Sequence, residues 1–177
     1  METHNSTADT SVTEPMPHLV ALLRDFDTAT LITRDRAGDL HARPMSVASV
    51  DDDATMWFFT SNTSTKVHEL LADERTLVSL QGPTCFAALN GCCDVDNDPA
   101  KIEALWKESY RTWYAGKDDP DLVLLRFTPY DAEYWDNSGV QGLKYILRAA
   151  KAYISGRPLK RTTEQSDDPS IHAKLAL

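Results

Sequence analysis

The most informative segment of the chain is WFFTSNTSTKVHEL, residues 57–70. Its aromatic first half is typical of a strand that ends at Thr60, and the apolar spacing after it predicts a helix that begins near Ser64. The first backbone N–H groups of a helix have no partner within the helix, and they attract anions. Because the hydroxyls of Ser64 and Thr65 and the ammonium of Lys66 lie beside them, this junction predicts a phosphate-binding site.

A plainer interpretation of the same junction needs no ligand. Ser64 would then only cap the helix, and Lys66 would be an ordinary surface lysine, because lysines are mostly exposed. Taken alone, the segment favours this interpretation, so a phosphate site needs support from elsewhere in the chain.

A second unusual segment is Arg43-Pro44-Met45-Ser46, in the middle of a predicted strand beside the one that ends at Thr60. Proline cannot donate a hydrogen bond to a neighbouring strand, so it is expected only at a sheet edge or an irregularity. One interpretation is an opened strand whose backbone polar groups face a ligand. The other is an edge strand with an incidental proline, in which Arg43 pairs with an acidic neighbour.

Around these segments, the hydrophobic pattern predicts strands that mostly follow other strands. This order favours an α+β, mainly β, fold: a six-stranded antiparallel barrel with flanking helices. A glycine turn is expected at Gly38 and a bulge at Gly91. The predicted strands cover residues 28–35, 41–50, 54–61, 76–81, 85–95 and 122–135, and the predicted helices begin at Pro15 and cover 64–73, 98–109 and 140–154.

Composition limits the classes of function. The chain has 177 residues, of which 42% are hydrophobic, enough for the core of one domain. This domain is predicted over residues 15–157, between a flexible N-terminal arm (1–14) and a flexible C-terminal tail (158–177). A formal net charge of −9 argues against binding of nucleic acid. No apolar stretch approaches the roughly 20 residues that cross a bilayer, and no signal peptide is recognised, so a cytoplasmic protein without membrane contact is expected.

No metal site is expected from the sequence. The three cysteines, which include the adjacent pair Cys92-Cys93, lack the spacing of a metal site or a disulfide framework and are interpreted as packed free thiols. The histidines lack metal spacing such as H-E-x-x-H, and no catalytic role is predicted for His18, His41 or His68.

Five strings of residues carry a family resemblance. In chain order they are ARPM (42–45), FFTSNTSTKVHEL (58–70), DDPDLVLLRFTP (118–129), AEYWDNSG (132–139) and KAYISGRP (151–158). Each string is weak alone, but their order and spacing carry the comparison. From about Pro17 to Pro158, the sequence resembles the flavin-binding split-barrel superfamily related to pyridoxamine 5'-phosphate oxidase, and more closely its general stress protein 26 branch.

The resemblance implies a six-stranded antiparallel split barrel that forms a homodimer and binds FMN at the subunit interface. It also implies FMN-binding residues in four segments. Those along the isoalloxazine ring and the ribityl chain would be Arg43, Pro44, Met45 and Ser46. Those that flank the ribityl chain and the phosphate would be Phe59 and Thr60, and those that hold the phosphate would be Ser64, Thr65 and Lys66. Trp113 is expected to be a lid over the ring from the partner subunit.

Two departures from the family pattern bear on function. The oxidases usually carry an Arg-Lys pair where this chain has Thr65-Lys66, so one positive charge is missing beside the expected phosphate. The oxidases that act on vitamin B6 also carry an Arg-x-His-type signature, and no residue after Trp135 matches it. Pyridoxamine oxidase activity is therefore not expected.

These observations leave more than one function open. The first hypothesis is an FMN-dependent oxidoreductase of unknown substrate, with NAD(P)H or a small molecule as its reaction partner. The alternative is a non-catalytic flavin-binding stress protein that stores, senses or buffers FMN. A third hypothesis is a split-barrel relative that uses haem or a deazaflavin.

Overall fold

Within the part of the chain that the structure describes, six antiparallel strands form a barrel with three α-helices around it, and a seventh strand lies near the C-terminus. The computed structural model describes residues 15–136 and 172–177. The mainly β fold predicted from the sequence is confirmed. In chain order the elements are α1 (Pro15–Arg24), β1 (Thr28–Arg34), β2 (Leu40–Val50), β3 (Met56–Ser61), α2 (Thr65–Ala72), β4 (Arg75–Gln81), β5 (Cys85–Asp96), α3 (Pro99–Leu105), a 3₁₀ helix (Glu108–Thr112), β6 (Leu122–Asp136) and β7 (His172–Ala176).

The barrel closes because β3 pairs with two strands that are distant in the chain. The strand order is β3-β2-β1-β4-β5-β6, and β3 also pairs with β6. That closing pair is antiparallel and runs from Met56 opposite Phe127 to Ser61 opposite Leu122. This pair includes every residue of β3 and brings the last residues of the strand close to the start of β6.

Two helices cover opposite ends of the barrel core. Glu69 of α2 reaches Thr33 near the end of β1, whereas Arg24 of α1 donates to the Val50 carbonyl at the end of β2. Since β1 and β2 are antiparallel, these strand ends lie at opposite ends of the barrel. The fully buried side chains that fill the interior include Leu19, Leu23, Leu31, Phe58, Val67, Leu80, Leu89, Leu125, Phe127 and Tyr134.

Along its first part, β2 pairs with β1 alone and has an open edge on its other side. Residues Leu40 to Ser46 pair with β1, whereas the pairing with β3 is confined to Val47–Val50 and contains a register shift. The N–H of Val47 donates to Asp27, on the β1 side. Alternation along the strand therefore directs the nitrogen of Pro44 toward the open edge, where its missing N–H costs no ladder bond.

Two glycines have the roles predicted for them. Gly38 adopts a φ of 96° in the turn between β1 and β2, a conformation that other residues rarely adopt. Gly91 lies at a register shift between β5 and β6, where a Cβ atom would be 2.4 Å from the Thr128 carbonyl oxygen. The turn and the bulge are both confirmed.

The prediction of a flexible tail over 158–177 is wrong for residues 172–176. They form β7, which pairs with the second half of β6, from Trp135 opposite His172 to Asp131 opposite Ala176. The ring of His172 stacks on Trp135 with centroids 4.7 Å apart, and Leu175 packs against the core. These contacts and the ladder bonds offset the loss of chain entropy that ordering the segment costs.

Other predictions fall partly outside the described residues. The N-terminal arm, 1–14, and the predicted last helix, 140–154, are not among them. The predicted helix over 98–109 is shorter than expected, since α3 ends at Leu105. Among the described residues, no helix has both the length and the apolar character needed to cross a membrane.

Candidate functional site

The loop between β3 and α2 is fixed by Asp121, which precedes β6. Ser61 Oγ donates to Asp121 Oδ2 at 2.5 Å. The backbone N–H of Asn62 donates to the Asp121 carbonyl at 2.7 Å, and that of Thr63 donates to Asp121 Oδ1 at 3.3 Å. Because the closing pair ends here, these bonds hold the loop and the start of α2 against the barrel wall.

Lys66, the second residue of α2, turns back over the end of β3. Its Nζ donates to Thr60 Oγ1 at 2.8 Å, and the same hydroxyl lies 3.3 Å from Ser64 Oγ. Thr60 is buried and Lys66 is half-buried. Burial lowers the pKa of Lys66, and the charge of Arg43 lowers it further, whereas Glu69 opposes the shift. An ammonium held in this way gains more from a bound anion than a solvated surface lysine does.

Ser64 occupies the N-cap position of α2, but its side chain makes no capping hydrogen bond. The Ser64 carbonyl accepts the N–H of Val67 at 3.0 Å, which is the first hydrogen bond of the helix. The N–H groups of Thr65 and Lys66 precede that bond. The start of α2 therefore keeps the donors that the sequence predicted for a phosphate.

Glu69 joins α2 to two strands. Its Oε2 accepts a hydrogen bond from Arg43 Nη1 at 2.8 Å and one from Thr33 Oγ1 at 2.5 Å. Arg43 Nη1 also lies 3.0 Å from Thr33 Oγ1. Glu69 is 6% exposed, and burial alone would raise the pKa of its carboxyl. The hydrogen bonds from Arg43 and Thr33 outweigh this effect, so the pKa of Glu69 lies below its ordinary value and the group is ionised.

An open cavity of about 1070 Å³ lies over these groups, between α2 and the β1–β2 hairpin. Three cations and two carboxylates line it, so its charged groups are net positive in a chain that is strongly acidic overall. Its lining residues are Asp35, Arg36, His41, Arg43, Thr63, Ser64, Thr65, Lys66, His68 and Glu69.

At the hairpin side of the cavity, Asp35 binds both the turn and a histidine. Asp35 Oδ1 accepts the backbone N–H groups of Ala37 and Asp39, each at 2.9 Å. Asp35 Oδ2 lies 3.2 Å from His41 Nε2. These bonds, that to His41 first, lower the pKa of Asp35. Asp35 therefore joins the hairpin turn to His41 on this side of the cavity.

The structure brings together five of the ten residues expected to bind the cofactor. Four line the cavity, and Thr60 lies under them through its bond to Lys66. Pro44 and Ser46 lie on the exposed edge half of β2. The Met45 side chain is 7% exposed and belongs to the barrel core. Arg43 pairs with an acidic neighbour, as the plainer interpretation of its segment held.

Phe59 and Trp113 lie away from these groups. Phe59 is 8% exposed and packs in a second cluster, with its ring centroid 4.8 Å from that of Tyr110. Trp113 follows the 3₁₀ helix and is 79% exposed. Neither side chain lines the cavity over α2. A second cavity, of about 540 Å³, lies beside α3 and the following loop, and none of the ten predicted site residues lines it.

The sequence predicted the β1–β2 hairpin and its turn, but it did not indicate that the hairpin and Glu69 belong to the site. Asp35, His41 and Glu69 lack any spacing that marks a catalytic pattern. The helical period did offer one signal, because Glu69 follows Lys66 by three residues and therefore shares its helix face. Among the described residues, no group of three or more His, Cys, Asp or Glu side chains could hold a metal ion.

The fold and site together define a class: a six-stranded antiparallel barrel protein with a cavity of net positive charge at the start of α2. The chain belongs to the pyridoxamine 5'-phosphate oxidase-like family, since the model of that family matches residues 14–160. No curated protein sequence matches the chain.

Solved structures of similar proteins agree with this assignment. The general stress FMN/FAD binding protein from Xanthomonas citri is 31% identical with a TM-score of 0.62, over 72% of this chain and 92% of that one. A protein related to general stress protein 26 from Clostridium acetobutylicum is 24% identical with a TM-score of 0.59, over 66% of this chain and 84% of that one. General stress protein 26 from Bacillus anthracis is 20% identical with a TM-score of 0.59, over 66% of this chain and 93% of that one. The last two comparisons establish the fold alone.

Proposed function

We propose that the chain is a flavin-binding protein that holds FMN in the cavity over α2. The observation that carries the proposal is the start of α2, where two backbone N–H groups precede the helical bonds and Lys66 is held over the end of β3. A phosphate monoester at this position would accept from these N–H groups, from the hydroxyls of Ser64 and Thr65, and from the Lys66 ammonium.

The donor set suits FMN better than it suits an uncharged flavin. Riboflavin has no group that needs Lys66, whereas FMN ends in a phosphate. The relative from Xanthomonas citri is named as an FMN/FAD binding protein, which supports a flavin without choosing between the two. We favour FMN because one ammonium and one helix start match one terminal phosphate.

Within the site, this chain's own residues bind and orient the ligand. The exposed backbone of Pro44 and Ser46 at the open edge of β2 can meet the polar edge of the ring. The flavin would supply the redox chemistry, as flavins do in other proteins. We therefore propose an oxidoreductase of undetermined substrate that uses NAD(P)H or another small molecule and acts in the cytoplasm, where its three free cysteines stay reduced.

A flavin carrier or sensor is the second candidate. Both carboxylates in the cavity already have hydrogen-bond partners: Glu69 binds Arg43 and Thr33, and Asp35 binds the hairpin turn and His41. This favours a carrier or sensor, because neither carboxylate is left to act as an acid or a base in a reaction. Anaerobic mixing of the FMN-loaded protein with NADH or NADPH separates the candidates. Prompt bleaching of the flavin supports an oxidoreductase, and absent bleaching supports a carrier.

We also propose a homodimer with the flavin at its interface. The cavity is open on one side, and the indole of Trp113 is 79% exposed, which suits contact with a partner subunit and a lid over its flavin. Light scattering tests this, with a mass of twice 19.8 kDa expected at micromolar concentration. A 19.8 kDa particle contradicts the dimer.

The proposed binding function is tested by the absorbance spectrum of the purified protein before and after incubation with FMN and removal of the unbound ligand. Retained flavin, near one per chain, is expected. A protein that retains none at micromolar concentration contradicts the proposal.

A further inference from the structure

One of the positive charges that line the cavity is cancelled by a buried carboxylate. The cation is Arg43, and the carboxylate is that of Glu69. Glu69 is 6% exposed, so water does little to stabilise its charge. Arg43 and Thr33 supply its hydrogen bonds, and both bonds of Arg43 leave from the same nitrogen, Nη1. The Arg43 guanidinium is thus the counter-ion of Glu69.

Lys66 has no such direct partner among the carboxylates of the site. Its Nζ donates to the neutral hydroxyl of Thr60, while Glu69 lies one helical turn further along α2. Arg36, the third cation of the cavity, is exposed on the hairpin next to Asp35, where solvent screens its charge.

We propose that Glu69 is a specificity-determining residue, which cancels the charge of Arg43 and so leaves Lys66 as the cation that binds the ligand's phosphate. The affinity of the cavity for FMN relative to riboflavin then depends on Glu69, although Glu69 does not touch the ligand. The inference rests on the flavin-binding function proposed above and adds the residue that sets the charge preference of the site.

Charge balance predicts that substitutions of Glu69 and of Arg43 change the affinity for FMN relative to riboflavin in opposite directions. Glu69→Gln keeps the shape of the side chain and removes its charge, so Arg43 becomes available to attract the phosphate. Arg43→Gln leaves the Glu69 carboxylate without its counter-ion beside the ligand. The double variant removes both charges and restores the original balance.

The experiment measures dissociation constants for FMN and for riboflavin by fluorescence quenching in the wild type and the three variants. The ratio of the affinity for FMN to the affinity for riboflavin isolates the contribution of the phosphate, because general damage to the cavity weakens the binding of both ligands equally. We expect the ratio to rise about tenfold in Glu69→Gln, to fall about tenfold in Arg43→Gln, and to return to within about threefold of wild type in the double variant.

The matched control is Glu103→Gln, which removes one exposed carboxylate on α3 and changes the net charge of the chain by the same amount as Glu69→Gln. Its ratio should equal that of the wild type. A double variant that loses as much as Arg43→Gln would show that Arg43 itself binds the phosphate, and it would overturn the inference. An unchanged ratio in Glu69→Gln also overturns it.

The two proposals fail in different ways. A wild-type protein that binds neither flavin overturns the flavin-binding function and this inference with it. A wild type that binds FMN, with the same affinity ratio in every variant, overturns the inference alone. Thermal unfolding of the double variant checks that a loss of both affinities does not come from misfolding.

Discussion

Lys66 Nζ and Thr60 Oγ1 lie 2.8 Å apart, and this hydrogen bond joins the first turn of α2 to the end of β3. The position of the Thr60 hydroxyl is fixed, because Thr60 is 2% exposed and cannot move without disturbing the pairing of β3 with β6. The hydrogen bond holds the ammonium where the first N–H groups of α2 can share an anion with it.

The Thr60 hydroxyl is expected to position Lys66. Thr60→Val keeps the shape of the side chain but removes the acceptor, so the affinity for FMN should fall about three- to tenfold. The affinity for riboflavin should change by less than about twofold, because it has no phosphate. Fluorescence titration measures both, and Thr128→Val, at an exposed position on β6, is the control. Equal losses for FMN and riboflavin would contradict the positioning role.

Glu69 is expected to make the free energy of unfolding fall at low pH. Its pKa in the folded protein lies below the ordinary value of 4.5, so its contribution is fully present above pH 4.5 and is lost as the pH falls through the folded pKa. Urea unfolding at neutral pH and below pH 4.5 should therefore show a smaller loss of stability in Glu69→Gln than in wild type. The other acidic groups remain in both proteins, so the difference isolates Glu69. Parallel pH profiles would contradict this prediction.

Gly91 is expected to be intolerant of a side chain. In Gly91→Ala the new Cβ would lie 2.4 Å from the Thr128 carbonyl oxygen and 2.6 Å from the ring of Phe127. The free energy of unfolding should fall by about 2–3 kcal/mol in urea titrations. Gly38→Ala is the comparison: it meets no atom within 4 Å but keeps a φ of 96°, so its cost should be about 1–2 kcal/mol. A smaller loss in Gly91→Ala than in Gly38→Ala would contradict the crowding at the bulge.

The C-terminal strand is expected to contribute to stability. Leu175 packs against the core, whereas the adjacent Lys174 is exposed. Leu175→Ala should lower the free energy of unfolding by about 1–2 kcal/mol, and Lys174→Ala should change it by less than about 0.5 kcal/mol. Equal effects of the two substitutions would mean that β7 does not pack as described.

Local patterns were sufficient to predict most of the fold. β1 alternates buried and exposed residues with the expected period, and Gly38 and Gly91 occupy the turn and the bulge for steric reasons that a sequence displays. β7 escaped prediction because its short, mixed sequence gains its stability from β6, which lies far away in the chain. Pairing between distant segments leaves no periodic signal.

The site was only partly predictable for a related reason. The proposed phosphate site at Ser64, Thr65 and Lys66 depends on local helix geometry, which one segment of sequence contains. The pairing of Arg43 with Glu69 joins β2 to α2 across 26 positions, and no rule of spacing reports it. The inward direction of Met45 could have been inferred from strand alternation, had the register been known.

In the proposed complex, Lys66 and the start of α2 bind the phosphate of FMN. The decisive experiment measures the affinities for FMN and for riboflavin in wild type, in Lys66→Gln and in Lys107→Gln, where Lys107 is an exposed lysine on the loop after α3. We predict that wild type binds FMN more tightly than riboflavin, that Lys66→Gln reduces this preference about tenfold or more, and that Lys107→Gln leaves it unchanged. Equal affinity of wild type for FMN and riboflavin, or an unchanged preference in Lys66→Gln, would contradict the account.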